Sequence, residues 1–174
     1  MRFDIHGPFT IPRTSRQVDK QGLRVFWQDV EASAPGLSTA CGCYVFVLQA
    51  AGTAIRPWYV GKAEKQTFRA ECLQQHKLKH YNEVLATVRG TPKLFLLAKR
   101  TPKGKFSKPT AFKYTDVRLL ENHLIGMALA VNRDLRNTAS TMHTRKLIVP
   151  GFFGTPVGRP NGSETDLKKT FKLG

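Results

Sequence analysis

An α+β protein with a small antiparallel sheet and flanking helices is the fold class this chain predicts, and three observations lead there. Two β-rich runs, Tyr44 to Leu48 and Trp58-Tyr59-Val60, flank a turn-forming stretch. A third run, Leu94 to Ala98, is apolar, short and bounded by turn residues. Apolar residues also recur at helical spacing after the hairpin and again after residue 115. With 174 residues and 41% apolar content, one domain with a true core is expected, spanning 40–138, with an extension at 1–39 and a tail at 139–174 packed on the domain.

Taken in order, the extension carries Pro8, Pro12 and Pro35 and one strand-like run, Leu23 to Trp27, that could pair on a sheet edge. The hairpin follows. Ala50-Ala51-Gly52-Thr53 and Pro57 supply its turn and break, while Gly42 and Gly61 bracket Tyr44 and Tyr59, where glycine lets a strand bend or another chain approach closely. Thr67 can cap a helix in which Arg69, Leu73 and His76 stand at i, i+4 and i+7, so Arg69 and His76 would share a face and a cleft. From about Lys79 to Val88, Tyr81, Val84, Leu85 and Val88 repeat as a core-facing helical stripe. Gly90-Thr91-Pro92 ends it before the third strand.

Lys99, Arg100, Lys103, Lys105, Lys108 and Lys113 then fall within fifteen residues that contain no acid, with Phe106 and Phe112 interleaved. The stretch reads either as a solvated loop or as an arm that contacts phosphates and stacks aromatics on bases. Thr115 or Asp116 starts the clearest helix, striped by Val117, Leu120, Leu124, Ala128 and Val131. Glu121 stands at the margin of that stripe, where a carboxylate needs a cation or donors. Pairing with Arg118, a rim position and a metal ligand are all open readings. Beyond Asn137 come one strand-like piece, Leu147-Ile148-Val149, a Gly- and Pro-rich run and a basic end.

Charge narrows the function classes. Lys and Arg number 28 against 12 Asp and Glu, a net +16, so the chain attracts polyanions, nucleic acid first and an anionic membrane surface second. No apolar run reaches the roughly 18 residues of a membrane span, and no signal-peptide core opens the chain, so a cytoplasmic, nucleic-acid-associated protein is expected. Cys41, Cys43 and Cys72 form no CxxC pair and read as reduced thiols. His76 and His80 are spaced i, i+4 but lack the glutamate of a zinc protease helix, and Walker A, G-x-S-x-G and RNP1 motifs are absent.

A constellation remains: Gly42-x-Tyr44, Tyr59-Val60-Gly61-Lys62, Arg69, and Glu121 followed by Asn132 and Asn137. It resembles the GIY-YIG nuclease family, with Gly42-Cys43-Tyr44 in place of Gly-Ile-Tyr and Tyr59-Val60-Gly61 in place of Tyr-Ile-Gly, over about residues 40 to 138. The resemblance implies a three-stranded antiparallel sheet flanked by helices and an endonuclease that hydrolyses DNA with one divalent metal, Mg²⁺ or Mn²⁺, double-stranded DNA being the expected substrate. Tyr59 would be the general base with Tyr44 in support; a phenol of pKa about 10 needs a neighbouring cation such as Lys62 to serve at neutral pH. Glu121 would hold the metal and Arg69 would neutralise charge on the scissile phosphate.

Relatives carry a tyrosine or histidine one turn after the arginine; Leu73 stands there in this chain, so the resemblance turns to His76 or Tyr81, with His76 preferred, and it favours Asn137 over Asn132 for the asparagine. Without a recognisable helix-turn-helix or zinc module, specificity falls to the extension, the basic arm, the tail or a partner protein. A basic binding module of the same fold without catalysis is the alternative.

Overall fold

β4 (Gly42–Gln49) is the central strand of the computed structural model, which describes residues 1–50, 54–112 and 114–137 together with Ser163, Asp166 and Thr170. β5 (Ile55–Ala63) and β6 (Thr91–Lys99) pair with it antiparallel on either side, and β1 (Phe3–Thr10) adds to the far side of β6, giving the order β1-β6-β4-β5. A separate two-stranded ribbon joins β2 (Arg13–Thr14) to β3 (Gln17–Val18). The helices are α1 (Leu23–Ser33), α2 (Phe68–Glu71), α3 (Gln75–Thr87) and α4 (Thr115–Val131). The chain divides into two compact units, Met1–Arg136 and Asn137–Gly174; the expected strand at Leu147 to Val149 lies outside the described residues, as do residues 51–53 and Lys113.

Alternation along β4 decides the two layers. Tyr44, Phe46 and Leu48 point into the larger core with Phe26, Trp27 and Val30 of α1, Phe68 of α2 and Leu78, Tyr81, Val84 and Leu85 of α3. Cys43 and Val45 point the other way, toward Val117, Leu124 and Ile125 of α4. Phe46 and Tyr81 stack with centroids 4.0 Å apart and planes 7° from parallel, joining β4 to α3. At the Phe46/Val47 irregularity in the β4–β5 ladder, Trp58 and Tyr59 both join the larger core, which a strict alternation would forbid.

Three expectations need correction. The sheet has four strands, because Phe3–Thr10 pairs with β6 from Phe3 opposite Lys99 to Thr10 opposite Lys93. Gly7-Pro8 interrupts the alternation of that strand and coincides with the register shift between His6 and Phe9, a feature an edge strand tolerates. The run Leu23 to Trp27 is helical: Phe26, Trp27 and Val30 are buried while Val25 is half exposed, the period of a helix face and not of a strand. The helix expected to carry both Arg69 and His76 is two helices, since Gln74 takes an extended backbone after Cys72 and Leu73 have turned into the core. Thr67 does cap the first of them, its hydroxyl accepting from Ala70 N–H at 3.2 Å.

Both bracketing glycines are required by close approach. Gly42 has φ +152° and a β-carbon there would strike the Leu97 carbonyl across the β4–β6 ladder. Gly61 sits opposite Tyr44, where a β-carbon would overlap Tyr44 Cζ and Oη and lie 2.8 Å from Cε2. Gly126 of α4 has nothing within 4 Å of the same position. Gly61→Ala should therefore lower stability by about 1–3 kcal/mol through overpacking, and Gly126→Ala should raise it by about 0.5–1 kcal/mol through helix propensity. Chemical denaturation of the two variants checks both signs.

Candidate functional site

The central hairpin register places the sequence-predicted residues. Tyr44 faces Gly61, Cys43 faces Lys62 and Phe46 faces Tyr59. Tyr44 and Tyr59 consequently stack on one sheet face with centroids 6.3 Å apart, while Lys62 emerges on the other. There its ammonium is ion-paired with Glu121 of α4, both side chains being partly exposed. Arg118, the intrahelical partner the sequence allows, turns instead toward Glu64, its Nε 3.6 Å from Oε2.

Tyr59 has a cation beside it, and that cation is Lys77. Lys77 Nζ donates to Tyr59 Oη at 2.7 Å and stands 3.7 Å from Glu71 Oε1, so α2 and α3 jointly position the ammonium. His80, one turn further along α3, stacks on the Tyr59 ring at 5.8 Å and 14°, whereas His76 is exposed. Tyr81 lies edge-on to Tyr59 at 5.9 Å, but its hydroxyl is spent on the Cys72 carbonyl at 3.1 Å and burial holds it protonated well above the ordinary tyrosine range. Lys77 escaped sequence reasoning, and His80 was weighed there only as the i, i+4 partner of His76, although both lie on the face that a helix starting at Gln75 turns toward β5.

Tyr44 is fully buried, and burial pushes its phenol well above the ordinary range, so it is a neutral hydroxyl. Its Oη has no hydrogen-bond partner among the described residues, an arrangement that costs about 1–3 kcal/mol in a dry core. Arg69 is exposed on α2 and its guanidinium makes no ion pair among the described residues; its backbone N–H donates to Ser38 O at 3.0 Å and so fixes α2 against the loop before β4. Asn132 is structural: its Nδ2 donates to the Pro57 carbonyl at 2.7 Å and its Oδ1 accepts from Asp134 N–H, tying the end of α4 to β5. Asn137 is the first residue of the second unit, whereas the other candidates belong to the first.

The basic arm divides into cations that fix the fold and cations that stand exposed. Lys99 pairs with Asp116 at the start of α4 and lies 4.8 Å over the Tyr114 ring. Arg100 bonds Asp4 at 2.7 Å and covers Phe106 at 3.7 Å, which removes that ring from base stacking. Lys103, Lys105 and Lys108 are exposed. Glu64, buried and unremarked in the sequence, accepts from Tyr114 N–H and so seats the first turn of α4, which carries Glu121 one turn later. Comparison with protein-family models, curated proteins and solved structures finds no match.

Two outcomes test this geometry. Tyr44→Phe removes an unpaired hydroxyl and should leave stability unchanged or raise it by about 1 kcal/mol; a loss in urea denaturation would mean the hydroxyl has a partner. His80 is held below the ordinary histidine value of 6.5, chiefly by burial, so its protonation favours the unfolded chain. The resulting stability is present at neutral pH and is lost as pH falls below 6.5. Thermal midpoints between pH 7 and 5 should decline less in His80→Gln than in the parent.

Proposed function

We propose that the chain is a metal-dependent endonuclease of the GIY-YIG type acting on DNA. The observation that carries the reading is the convergence at β5: Tyr59, with Lys77 on its hydroxyl, and Lys62, with Glu121 on its ammonium, project from the two faces of an edge strand only three residues apart. A phosphodiester passing the outer side of β5 near Lys62 would be within reach of both faces. The net charge of +16 supplies the attraction for such a substrate.

Tyr59 Oη is the proton acceptor in this proposal, and the ammonium of Lys77 is placed to hold negative charge on that oxygen. Glu71 keeps the ammonium in position from its other side. Arg69, exposed on α2, would meet charge accumulating on the phosphate. Tyr44 supports the Tyr59 ring by stacking on it from the core.

Among the described residues no three His, Cys, Asp or Glu side chains gather into a metal cage. Mg²⁺ does not require one, because it keeps several waters and takes one or two carboxylates plus substrate phosphate. Glu121 fits that demand: it is partly exposed and already holds a cation, the Lys62 ammonium, where a metal ion would sit. When bound, Mg²⁺ or Mn²⁺ would supply Lewis-acid stabilisation of the leaving oxygen. Lys62 would have to turn aside, which its partial exposure permits.

Purified protein should nick or cut supercoiled plasmid in Mg²⁺ or Mn²⁺ but not in EDTA. Glu121→Ala should lower the rate by about a hundredfold or more while leaving circular dichroism and DNA binding intact. Unchanged cleavage in that variant would overturn the assignment. DNA binding without cleavage in either metal would favour a basic binding module instead.

A further inference from the structure

Three segments distant in sequence meet at the end of the sheet where β4 begins and β5 and β6 finish. Cys41 N–H donates to Ser107 O at 3.0 Å, Arg69 N–H to Ser38 O at 3.0 Å, and Thr110 N–H to Glu64 O at 3.2 Å. Lys108 Nζ donates to Thr39 Oγ1 at 2.6 Å. Residues 36–41, 64–69 and 107–112 therefore form one rim, on the same end of β5 as Lys62.

The acids of this rim are already engaged. Glu64 is buried and holds Tyr114 N–H and the Arg118 side chain, and Asp116 is paired with Lys99. The cations face water: Lys65, Arg69 and Lys108 are exposed, the Lys108 ammonium resting on the Thr39 hydroxyl near Glu31, whose carboxylate is already engaged by Gly36 and Ser38. Phe112 stands in the same rim with 82% of its surface in water, its backbone N–H tied to Thr110 Oγ1 at 3.3 Å. A lone exposed phenylalanine is ordinary on any surface. One that shares a rim with three exposed cations is the pairing that binds unpaired nucleic acid, with cations on phosphates and a ring against a base. A closed duplex keeps its bases stacked and would offer that ring nothing.

We propose that this rim binds a single-stranded stretch of nucleic acid, with Phe112 stacked on an unpaired base and Lys65, Arg69 and Lys108 on the neighbouring phosphates. The preferred substrate is then DNA with an unpaired segment beside the duplex. The inference rests on the nucleic-acid reading above but not on cleavage.

Fluorescence anisotropy in EDTA tests it with three labelled DNAs of equal nucleotide number: a blunt duplex, a single strand, and a duplex with a single-stranded overhang. The overhang and single-strand DNAs should bind about tenfold tighter than the blunt duplex. Phe112→Ala should abolish that preference without weakening blunt-duplex binding, and Phe112→Trp should keep it. Replacing Lys65, Arg69 and Lys108 together by alanine should make the salt dependence shallower on all three DNAs, by about one unit per removed contact. Glu121→Ala should retain the preference, so a failed nuclease assignment leaves this result standing. Equal binding of the three DNAs, a preference that survives in Phe112→Ala, or no binding at all would overturn the proposal.

Discussion

The contact between the Tyr44 ring and the bare α-carbon of Gly61 is the constraint on which the site depends. It is a register lock. No side chain larger than hydrogen fits opposite Tyr44, so β5 can pair with β4 in one alignment only. A slip of one residue would carry Tyr59 to the α4 face and Lys62 to the α3 face, separating each from its partner. Gly42 locks the β4–β6 side in the same way, through the Leu97 carbonyl. The two glycines that bracket the tyrosines thus determine which chemistry each sheet face can display.

Acids in this chain serve mostly as internal fixtures. Asp4 holds Arg100 beside Phe106, Glu31 receives the backbone N–H groups of Gly36 and Ser38, Glu64 seats Tyr114, and Asp116 holds Lys99. Each fixes a loop or a helix start that the hydrophobic core does not reach. With the acids so committed, the surplus of cations is left facing outward. Surface ion pairs contribute little stability on average, but a carboxylate that satisfies buried N–H groups prevents an unpaired donor, which is the larger effect.

Much of the central module was legible in the sequence because its signals are local. The β4 and β6 strands, the α3 stripe of Tyr81, Val84 and Leu85, the Thr67 cap and the α4 start all follow from periodicity or capping chemistry within a few residues. β1 was not legible, since Gly7-Pro8 breaks its alternation and its pairing partner lies some ninety residues away. α1 was misread from a five-residue window in which Leu23, Val25 and Trp27 alternate; only Val30 reveals the helical period. Lys77 was invisible as a partner of Tyr59 because the helix restart at Gln75, set by the extended Gln74, rotates the face it presents. Lys62 and Glu121 were each singled out, but their pairing depends on α4 crossing β5, which no local pattern encodes.

The separation of Tyr59 from Glu121 by the sheet itself has a consequence for any reaction run here. A substrate seated over either face alone would meet one of them and not the other. β5 is the outer strand of the sheet among the described residues, and past its outer side groups on opposite faces can approach a common atom without crossing the ladder. Under the nuclease reading the backbone of DNA would run along β5 and past its end, onto the rim of Lys65, Arg69, Lys108 and Phe112. The chemistry and the strand-selective contact are then successive parts of one track, and the glycine lock that fixes the β5 register sets the spacing between them.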